Sequence, residues 1–97
     1  MADVQHHLTL LPGWQKHTVN SEDRLTRSFA FKDYRAGLNF VQAVGDAAEE
    51  ANHHPLIEIA WGSVTVSWWT HSIGGLHLND FIMAARSDAL YQDNYTK

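Results

Sequence analysis

The sequence predicts an α+β fold in which helices cover one face of a four-stranded antiparallel sheet. Apolar residues recur with helical periodicity over 34–51, and they alternate around polar turns over 15–31 and 57–68. Shorter helical patterns flank these stretches, so the predicted order is α-β-β-α-β-β-α, with three helices. A chain of 97 residues can bury one hydrophobic core, so we expect residues 1–97 to form a single domain.

The composition excludes several classes of protein. A hydrophobic content of 44%, with four Trp and four Phe, argues against disorder. The formal net charge is −4 and Lys and Arg do not cluster, so we expect no direct binding of nucleic acid. No apolar run approaches the roughly 20 residues that cross a bilayer, and the N-terminus resembles neither a secretory nor a transit peptide. The chain has no Cys for disulfides or thiolate sites, and we expect a soluble protein of the cytoplasm.

The N-terminal third predicts a short helix and then a hairpin. Apolar residues with helical spacing run from a possible N-cap at Asp3 to a Pro-Gly break at 12–13. After this break, apolar residues alternate with polar ones on both sides of a polar turn at 20–23, which predicts two strands. We interpret His6 and His7 as part of a solvated helix face.

A long helix is predicted from Tyr34 to Ala51, with Asp33 as its N-cap. Its apolar positions recur every three or four residues, at Tyr34, Leu38, Val41, Val44 and Ala48. Pro55 cannot continue a helix, and it favours an extended conformation at His54. The helix is therefore expected to end before that residue.

A second hairpin follows, with a two-residue turn predicted at Gly62 and Ser63. Alternating apolar residues lie on both sides of that turn: Ile57, Ile59, Trp61, Val64, Val66 and Trp68. In the predicted register Trp61 pairs with Val64, and at the open end of the hairpin His54 faces His71. Directly opposed side chains have Cβ atoms roughly 5 Å apart, so both imidazoles could contact one small ligand.

The last helix is predicted to begin near Leu78, with His77 at the cap position. Its apolar positions are expected to be buried, at Phe81, Ile82, Ala85 and Ala89. The polar residues 92–97 are expected to fray. We expect no chemical role for His77.

Five candidate site residues, three His and two carboxylates, lie in the stretch from Glu49 to Asp80: Glu49, His53, His54, His71 and Asp80. Glu49 lies four residues before His53, so on a continuing helix its carboxylate would orient that imidazole. The predicted hairpin adds His54 and His71 to the same region. Histidine can donate or accept a proton near neutral pH, so such a cluster is typical of acid/base catalysis.

Other interpretations of these residues stay open. A single His is commonly a surface or core residue, and Glu49 at a helix end can simply be solvated. Asp80, in the first turn of a helix, favours the helix dipole, and Trp61 at a strand end suggests core packing. Imidazoles and a carboxylate could hold zinc or iron, although no HExxH or HxH pair occurs. Nucleophilic catalysis has little support, because no Ser lies in a nucleophile-elbow pattern.

At these residues the sequence resembles the pterin-4a-carbinolamine dehydratase family. The family signature places a charged residue, His-His-Pro, an aromatic residue, a His and an Asp at set distances. This sequence matches it at Glu49, His53, His54, Pro55, Trp61, His71 and Asp80. The likeness extends over nearly the whole chain, through Trp14 after Pro-Gly, Phe29 and Phe31, Lys32-Asp33-Tyr34, and Gly75-Leu76. One departure is His77, where relatives have Ser or Thr, so the capping box at Asp80 is incomplete.

The resemblance implies a four-stranded antiparallel sheet with three helices, homodimers or homotetramers, and neither a metal nor an organic cofactor. It also implies a hydro-lyase reaction, in which 4a-hydroxytetrahydropterin loses water to give quinonoid dihydropterin during tetrahydrobiopterin recycling. A non-enzymatic alternative is that the chain binds a transcription factor, because this fold serves in some animals as a dimerisation partner of a homeodomain protein.

The resemblance also implies roles for individual residues. His53 and His71 would be the acid/base pair, His54 would position the substrate, and Glu49 would orient it or hydrogen-bond to it. Three further residues would bind the pterin: Trp69, Thr70 and Asp80.

Overall fold

The computed structural model describes the backbone of residues 4–95, and its elements follow the predicted α-β-β-α-β-β-α order. The helices are α1 (Val4–Thr9), α2 (Tyr34–Ala51) and α3 (Leu78–Tyr95), and one 3₁₀ turn spans His71–Ile73. The strands are β1 (Gln15–Val19), β2 (Glu22–Ala30), β3 (Leu56–Ala60) and β4 (Ser63–Trp68). The predicted cap at Asp3 lies outside the described residues.

The strands form one antiparallel sheet in the order β1-β2-β4-β3. Alternate residues of the two central strands are buried on the face that meets α2 and α3: Leu25, Phe29, Val64, Val66 and Trp68. The opposite face carries hydroxyl pairs, in which Thr26 bonds Ser67 at 3.0 Å and Ser28 bonds Thr65 at 2.8 Å. The predicted α+β class, with helices against one apolar sheet face, is confirmed.

The first hairpin turns within two residues, which is tighter than the predicted turn at 20–23. Val19 pairs with Glu22, and the residues between them, Asn20 and Ser21, have φ angles of 52° and 67°. Positive φ at both central residues is the geometry of a type I′ turn, whose twist matches that of the flanking strands. The turn was therefore predicted in the right place but too wide.

The second hairpin differs from its predicted register by one residue on each strand. Ala60 pairs with Ser63, so the turn residues are Trp61 and Gly62. Gly62 has a φ of 80° in the second turn position, where glycine is favoured, whereas the predicted turn would have placed Ser63 there. Because both strands shift together, every side chain keeps its predicted face of the sheet.

Two predictions fail with that register. The observed pairing, extended beyond the end of β3, sets His54 level with Trp69 and not with His71. The predicted opposition of His54 and His71 is therefore wrong. Trp61 lies in the turn and is 73% exposed, so its predicted core packing is also wrong.

Helix α2 has its predicted bounds and cap, since Asp33 Oδ1 accepts a hydrogen bond from the Ala36 N–H at 2.8 Å. Its buried residues lie on one side of the helix: Gly37, Phe40, Val44, Ala47 and Ala48. Gly37 permits close packing, because a Cβ there would lie 3.3 Å from Val64 Cγ2. Tyr34, predicted to belong to the apolar stripe, is exposed.

Helix α3 begins at Leu78 as predicted but buries a different set of residues. Phe81 is buried, whereas three predicted core residues are exposed: Ile82, Ala85 and Ala89. Ser87 occupies a core position, where its hydroxyl donates to the Met83 carbonyl at 2.8 Å and accepts from Trp68 Nε1 at 3.2 Å. A hydrogen-bonded serine is stable in a core, and hydrophobic periodicity does not reveal it.

The C-terminal half of α3 also ties the N-terminal segment to the sheet. Asp88 Oδ1 accepts hydrogen bonds from Trp14 Nε1 at 2.9 Å and from Arg27 Nη1 at 2.6 Å. The helix runs on to Tyr95, so the prediction that it frays from residue 92 is wrong for 92–95, and 96–97 lie outside the described residues. None of the helices within residues 4–95 has the length and apolar character needed to cross a membrane.

Candidate active site

The end of α2 sets the direction of the histidine segment. Asn52 has a φ of 51° and a ψ of 43°, the left-handed conformation that commonly ends a helix. Its N–H donates to the Glu49 carbonyl at 3.2 Å, and the N–H of His53 donates to the Ala48 carbonyl at 3.0 Å. This pair of bonds is a Schellman motif, which turns the chain away from the helix axis. His53 therefore leaves the helix one residue after Asn52.

The Schellman motif changes the partner of Glu49. The expected contact from Glu49 to His53 required a continuing helix, and it is wrong because the helix has ended. Glu49 Oε2 instead bonds His54 Nε2, and both side chains are largely exposed. The carboxylate at the end of α2 thus orients the second histidine and not the first.

Asp80 is the partner of His53 and the most buried polar residue of the site, with no exposed side-chain surface. Its Oδ1 lies 2.6 Å from His53 Nε2. Its Oδ2 accepts from Thr70 Oγ1 at 2.9 Å and from the His77 N–H at 2.8 Å. Both carboxylate oxygens are therefore bonded within the protein, and Asp80 lies beneath the site surface.

The first turn of α3 holds Asp80 in this position. The Asp80 carboxylate accepts a hydrogen bond from the His77 N–H. His77 Nδ1 accepts one from the Asn79 N–H, with 3.3 Å between the two nitrogens. The Asp80 half of a capping box is therefore present, but the His77 ring accepts from the Asn79 N–H and not from the Asp80 N–H, which donates to the His77 carbonyl at 2.9 Å. The prediction of an incomplete box is confirmed. One carboxylate both caps the helix and holds the His53 ring.

The ring of His53 is fixed on a second side by Trp68. The two rings are stacked, with centroids 5.7 Å apart and an interplanar angle of 18°. The side chain is 19% exposed, and it lines a cleft of about 200 Å³. The other residues that line this cleft are Ala51, Asn79, Ile82, Met83 and Arg86. With Nε2 bonded to Asp80, His53 has Nδ1 left to exchange a proton.

His71 projects from a short loop whose base is joined to Asp80. Thr70 and Gly75 bond each other through their backbones, with N–O distances of 2.8 and 3.3 Å, and this closes the loop. Gly74 adopts a φ of 63° and its N–H donates to the His71 carbonyl at 3.1 Å. The Thr70 hydroxyl bonds Asp80, so one buried carboxylate joins the segments that carry His53 and His71.

Trp69 lies beside His71 and is only 7% exposed. The two rings have centroids 4.7 Å apart at 63°, an edge contact. On the Trp69 ring lies the guanidinium of Arg24, with Cζ 3.8 Å from the ring centroid. The sequence interpretation missed Arg24. The signal that could have found it is the β2–β4 register, which pairs Leu25 with Trp68 and so makes Arg24 and Trp69 neighbours.

The structure therefore joins some of the predicted site residues and separates others. His53, Thr70 and Asp80 form one hydrogen-bonded unit, Thr70 leads into His71, and His54 pairs with Glu49. Among residues 4–92, no hydrogen bond or ring contact joins His71 to either of the other two histidines. Within that same range, no three His, Asp or Glu side chains are grouped so that they could hold a metal ion. The chemistry that this arrangement supports is proton transfer by imidazoles.

Comparisons with known proteins agree with the fold and show the family. A family model described as pterin 4 alpha carbinolamine dehydratase matches residues 1–90. A relative from Marinobacter nauticus is 51% identical over 90 residues, which cover 93% of this chain and 81% of the relative. A relative from Chlorobaculum tepidum is 47% identical over 88 residues, covering 91% and 79%. Both relatives carry the name of this dehydratase as a provisional assignment.

Two solved structures share the fold. A protein from Brucella melitensis, described as a transcriptional coactivator/pterin dehydratase, has a TM-score of 0.82 and 34% identity, covering 92% of this chain and 93% of its own. A pterin dehydratase-like protein, described as a RuBisCO assembly factor of the alpha-carboxysome, has a TM-score of 0.68 and 25% identity, covering 80% and 88%. Because the family model and the sequence relatives each match most of the chain, the protein belongs to the pterin 4 alpha carbinolamine dehydratase family.

Proposed function

We propose that this chain dehydrates 4a-hydroxytetrahydropterin to quinonoid dihydropterin, which is a step in the recycling of tetrahydrobiopterin. Family membership supports the reaction and the pterin substrate. The observation that carries the proposal is the buried Asp80 carboxylate, which holds His53 directly and holds the base of the His71 loop through Thr70. A buried carboxylate that fixes one imidazole and anchors the loop that carries another suits a reaction that needs an acid and a base at fixed places.

The reaction moves two protons and two electron pairs, since the pair of the C4a–O bond leaves with the oxygen. The C4a–O bond breaks, and the oxygen leaves as water after it receives a proton from one imidazolium. The second imidazole accepts the proton of N5, and the electron pair of the N5–H bond forms the new C4a=N5 double bond. The protons given and taken balance, so the site returns to its starting charge after one proton passes between the histidines through solvent.

We assign His53 and His71 to the acid/base pair. The Asp80 carboxylate fixes the orientation of His53 through a hydrogen bond of 2.6 Å to its Nε2. His71 is exposed, so it can meet a substrate without rearrangement of the core. His54, held by Glu49, is assigned to substrate positioning.

Supporting roles are assigned to three residues that the resemblance placed at the substrate. Thr70 uses its hydroxyl on Asp80 and both backbone groups on Gly75, so it serves to place the His71 loop. Trp69 is nearly buried and contacts the His71 ring at its edge. Asp80 acts through His53 and is a positioning residue.

The test is the rate at which the purified chain dehydrates 4a-hydroxytetrahydropterin, followed by absorbance. His71→Ala should lower kcat by roughly 10²- to 10⁴-fold, the usual contribution of one acid/base group. His6→Ala is the matched control, because His6 is an exposed histidine on α1, outside the site, and its removal should leave the rate unchanged. Full activity of a folded His71→Ala variant would refute the assignment.

A second candidate is a binding role without catalysis, in transcription or in the assembly of a larger complex. The observation that favours it is the description of the two solved relatives, one as a transcriptional coactivator and one as an assembly factor. Capture of a specific protein partner by a chain that does not dehydrate the pterin would support this candidate. A dehydration rate that depends on His71 would support the enzyme.

Two further expectations stay predictions. A homodimer or homotetramer can be tested by sedimentation equilibrium of the purified chain. A cytoplasmic location can be tested by fractionation of cells that express it.

A further inference from the structure

Arg24, Trp69 and His71 form a continuous stack at the end of the sheet. The guanidinium carbon of Arg24 lies 3.8 Å from the centroid of the Trp69 ring, and the centroids of the Trp69 and His71 rings are 4.7 Å apart in an edge contact. Arg24 and Trp69 lie on the sheet face opposite to Leu25 and Trp68, the paired core residues next to them in sequence. Arg24 therefore contacts a residue of the proposed site from a strand that carries no site residue.

The stack has a feature that is unfavourable for stability. Arg24 Nε and Trp69 Nε1 are both buried, and neither has a hydrogen-bond partner among the described residues. Buried donors without partners are rare in proteins, because desolvation is not offset by a bond. An aliphatic side chain at position 24 would cover Trp69 without that penalty. Local features that oppose stability are expected where function requires them.

Arg27 shows what a structural arginine looks like in this fold. It lies on the same strand, and its guanidinium carbon is 4.4 Å from the Phe29 ring centroid. Unlike Arg24, it has a carboxylate partner, since its Nη1 bonds Asp88 at 2.6 Å. Each arginine thus makes a cation–π contact of its own, but the two differ in their hydrogen-bond partners and in the sheet face that they cover.

The side chain of His71 needs an orienting contact that the loop itself does not supply. Thr70, Gly74 and Gly75 fix the loop through backbone bonds and through Asp80, but these bonds do not act on the imidazole. Among the described residues, the ring contact that the imidazole makes is with Trp69. The orientation of the His71 ring therefore depends on where the Trp69 ring lies.

We propose that Arg24 is a positioning residue of the acid/base site, which holds the Trp69 ring by a cation–π contact so that Trp69 orients the His71 imidazole. The catalytic part of this inference rests on the proposed dehydratase function. The orienting part does not, because it concerns the folded chain without substrate. A guanidinium suits this role, since it is planar, always charged and stacks on indole rings.

The experiment compares three variants by NMR and by kinetics. Arg24→Met keeps an unbranched chain over Trp69 but removes the charge, Arg24→Lys keeps the charge, and Arg27→Met is the matched control. The NMR measurement is the chemical shift of the His71 ring protons, which the nearby Trp69 ring current displaces from the value of a free imidazole. The kinetic measurement separates kcat from KM for 4a-hydroxytetrahydropterin.

Arg24→Met should move the His71 proton shifts toward those of a free imidazole. It should lower kcat by roughly 10- to 100-fold with little change in KM, because small misplacements of a reacting group have effects of this size. Arg24→Lys should keep part of the wild-type displacement of the His71 shifts and part of the wild-type kcat. Arg27→Met should lower the melting temperature but leave the His71 shifts and kcat as in the wild type. This contrast separates a positioning role from a general loss of stability.

The two parts of the inference fail in different ways. Wild-type His71 shifts and wild-type kcat in folded Arg24→Met would overturn it. If the wild-type chain does not dehydrate the pterin, the proposed function fails, and the NMR comparison still decides whether Arg24 orients His71 through Trp69. If Arg24→Met does not fold, Arg24→Gln, which keeps a planar polar group without charge, replaces it in both measurements.

Discussion

Replacing Asp80 with Asn tests whether the buried carboxylate orients His53 for proton transfer. The carboxylate accepts three hydrogen bonds, from His53 Nε2, the Thr70 hydroxyl and the His77 N–H. An asparagine side chain has the same shape but only one oxygen. Its NH₂ group must therefore face either His53 Nε2 or the Thr70 and His77 donors. If the oxygen stays with Thr70 and His77, the NH₂ group faces His53 Nε2 and forces that nitrogen to accept.

The magnitude of the effect follows from this change of hydrogen bonds. With Nε2 accepting, the proton of a neutral His53 lies on Nδ1, so Nδ1 can no longer accept one, and an imidazolium would set its Nε2–H against the NH₂ group, so His53 is impaired both as a base and as an acid. The variant should lose most of the contribution of one acid/base group, about 10²- to 10⁴-fold in kcat. In the folded state one charge-assisted hydrogen bond is replaced by a neutral one and two others are weakened, so unfolding free energy should fall by about 2 to 4 kcal/mol.

The assay measures kcat by stopped-flow absorbance under conditions where urea titration shows the variant to be folded. His77→Ser is the matched control, because serine can still cap α3 and the backbone N–H that bonds Asp80 is retained. This control should keep the wild-type kcat. If folded Asp80→Asn also keeps the wild-type kcat, Asp80 serves only as a helix cap and does not orient His53 for proton transfer.

Three further predictions concern other parts of the chain. Asp88→Asn removes the charge that bonds Trp14 and Arg27, so unfolding free energy should fall by about 1 to 3 kcal/mol with kcat unchanged, as measured by urea titration and by the dehydration assay. Glu49→Gln weakens the hydrogen bond that holds His54, so in steady-state kinetics KM should rise more than kcat falls. A larger effect on kcat than on KM would indicate that His54 is an acid or a base. Treatment with EDTA should leave the dehydration rate unchanged, since the donor set in residues 4–92 does not form a metal site, and a lost rate that zinc restores would contradict this.

Periodicity in the sequence predicted the fold well, because it depends on which face each residue buries. The alternation in β2 and β4 and the spacing in α2 reflect burial, and these elements were found with nearly the predicted bounds. The second hairpin shows the limit of such patterns. A shift of both strands by one residue leaves every face unchanged, so only the turn geometry at Gly62 could decide the register.

The site residues could be named from their spacing, but their partners could not. Pairing depends on where the chain reverses, and Asn52 ends α2 one residue too early for Glu49 to reach His53. The carboxylate that does reach His53 comes from Asp80, 27 residues further along the chain. A contact of this kind depends on how α3 packs against the sheet, and local sequence patterns carry no information about that packing.

Arg24 was missed for a related reason. A charged residue on an alternating strand is normally read as solvent-facing, and its neighbours in β2 gave no reason to read it otherwise. Its contact with Trp69 depends on the pairing of β2 with β4, two strands that are separated in sequence by a helix and a third strand. Pairing between distant strands is the level at which sequence interpretation was least informative.

The most direct test of the account is the dehydration rate of 4a-hydroxytetrahydropterin with the wild-type chain, with the double variant His53→Ala/His71→Ala, and with buffer alone. If the two histidines are the acid/base pair, dehydration with the wild-type chain should be faster than the spontaneous rate. Dehydration with the folded double variant should be no faster than in buffer alone. A wild-type rate equal to that of buffer, or a double variant as fast as the wild type, would contradict the account.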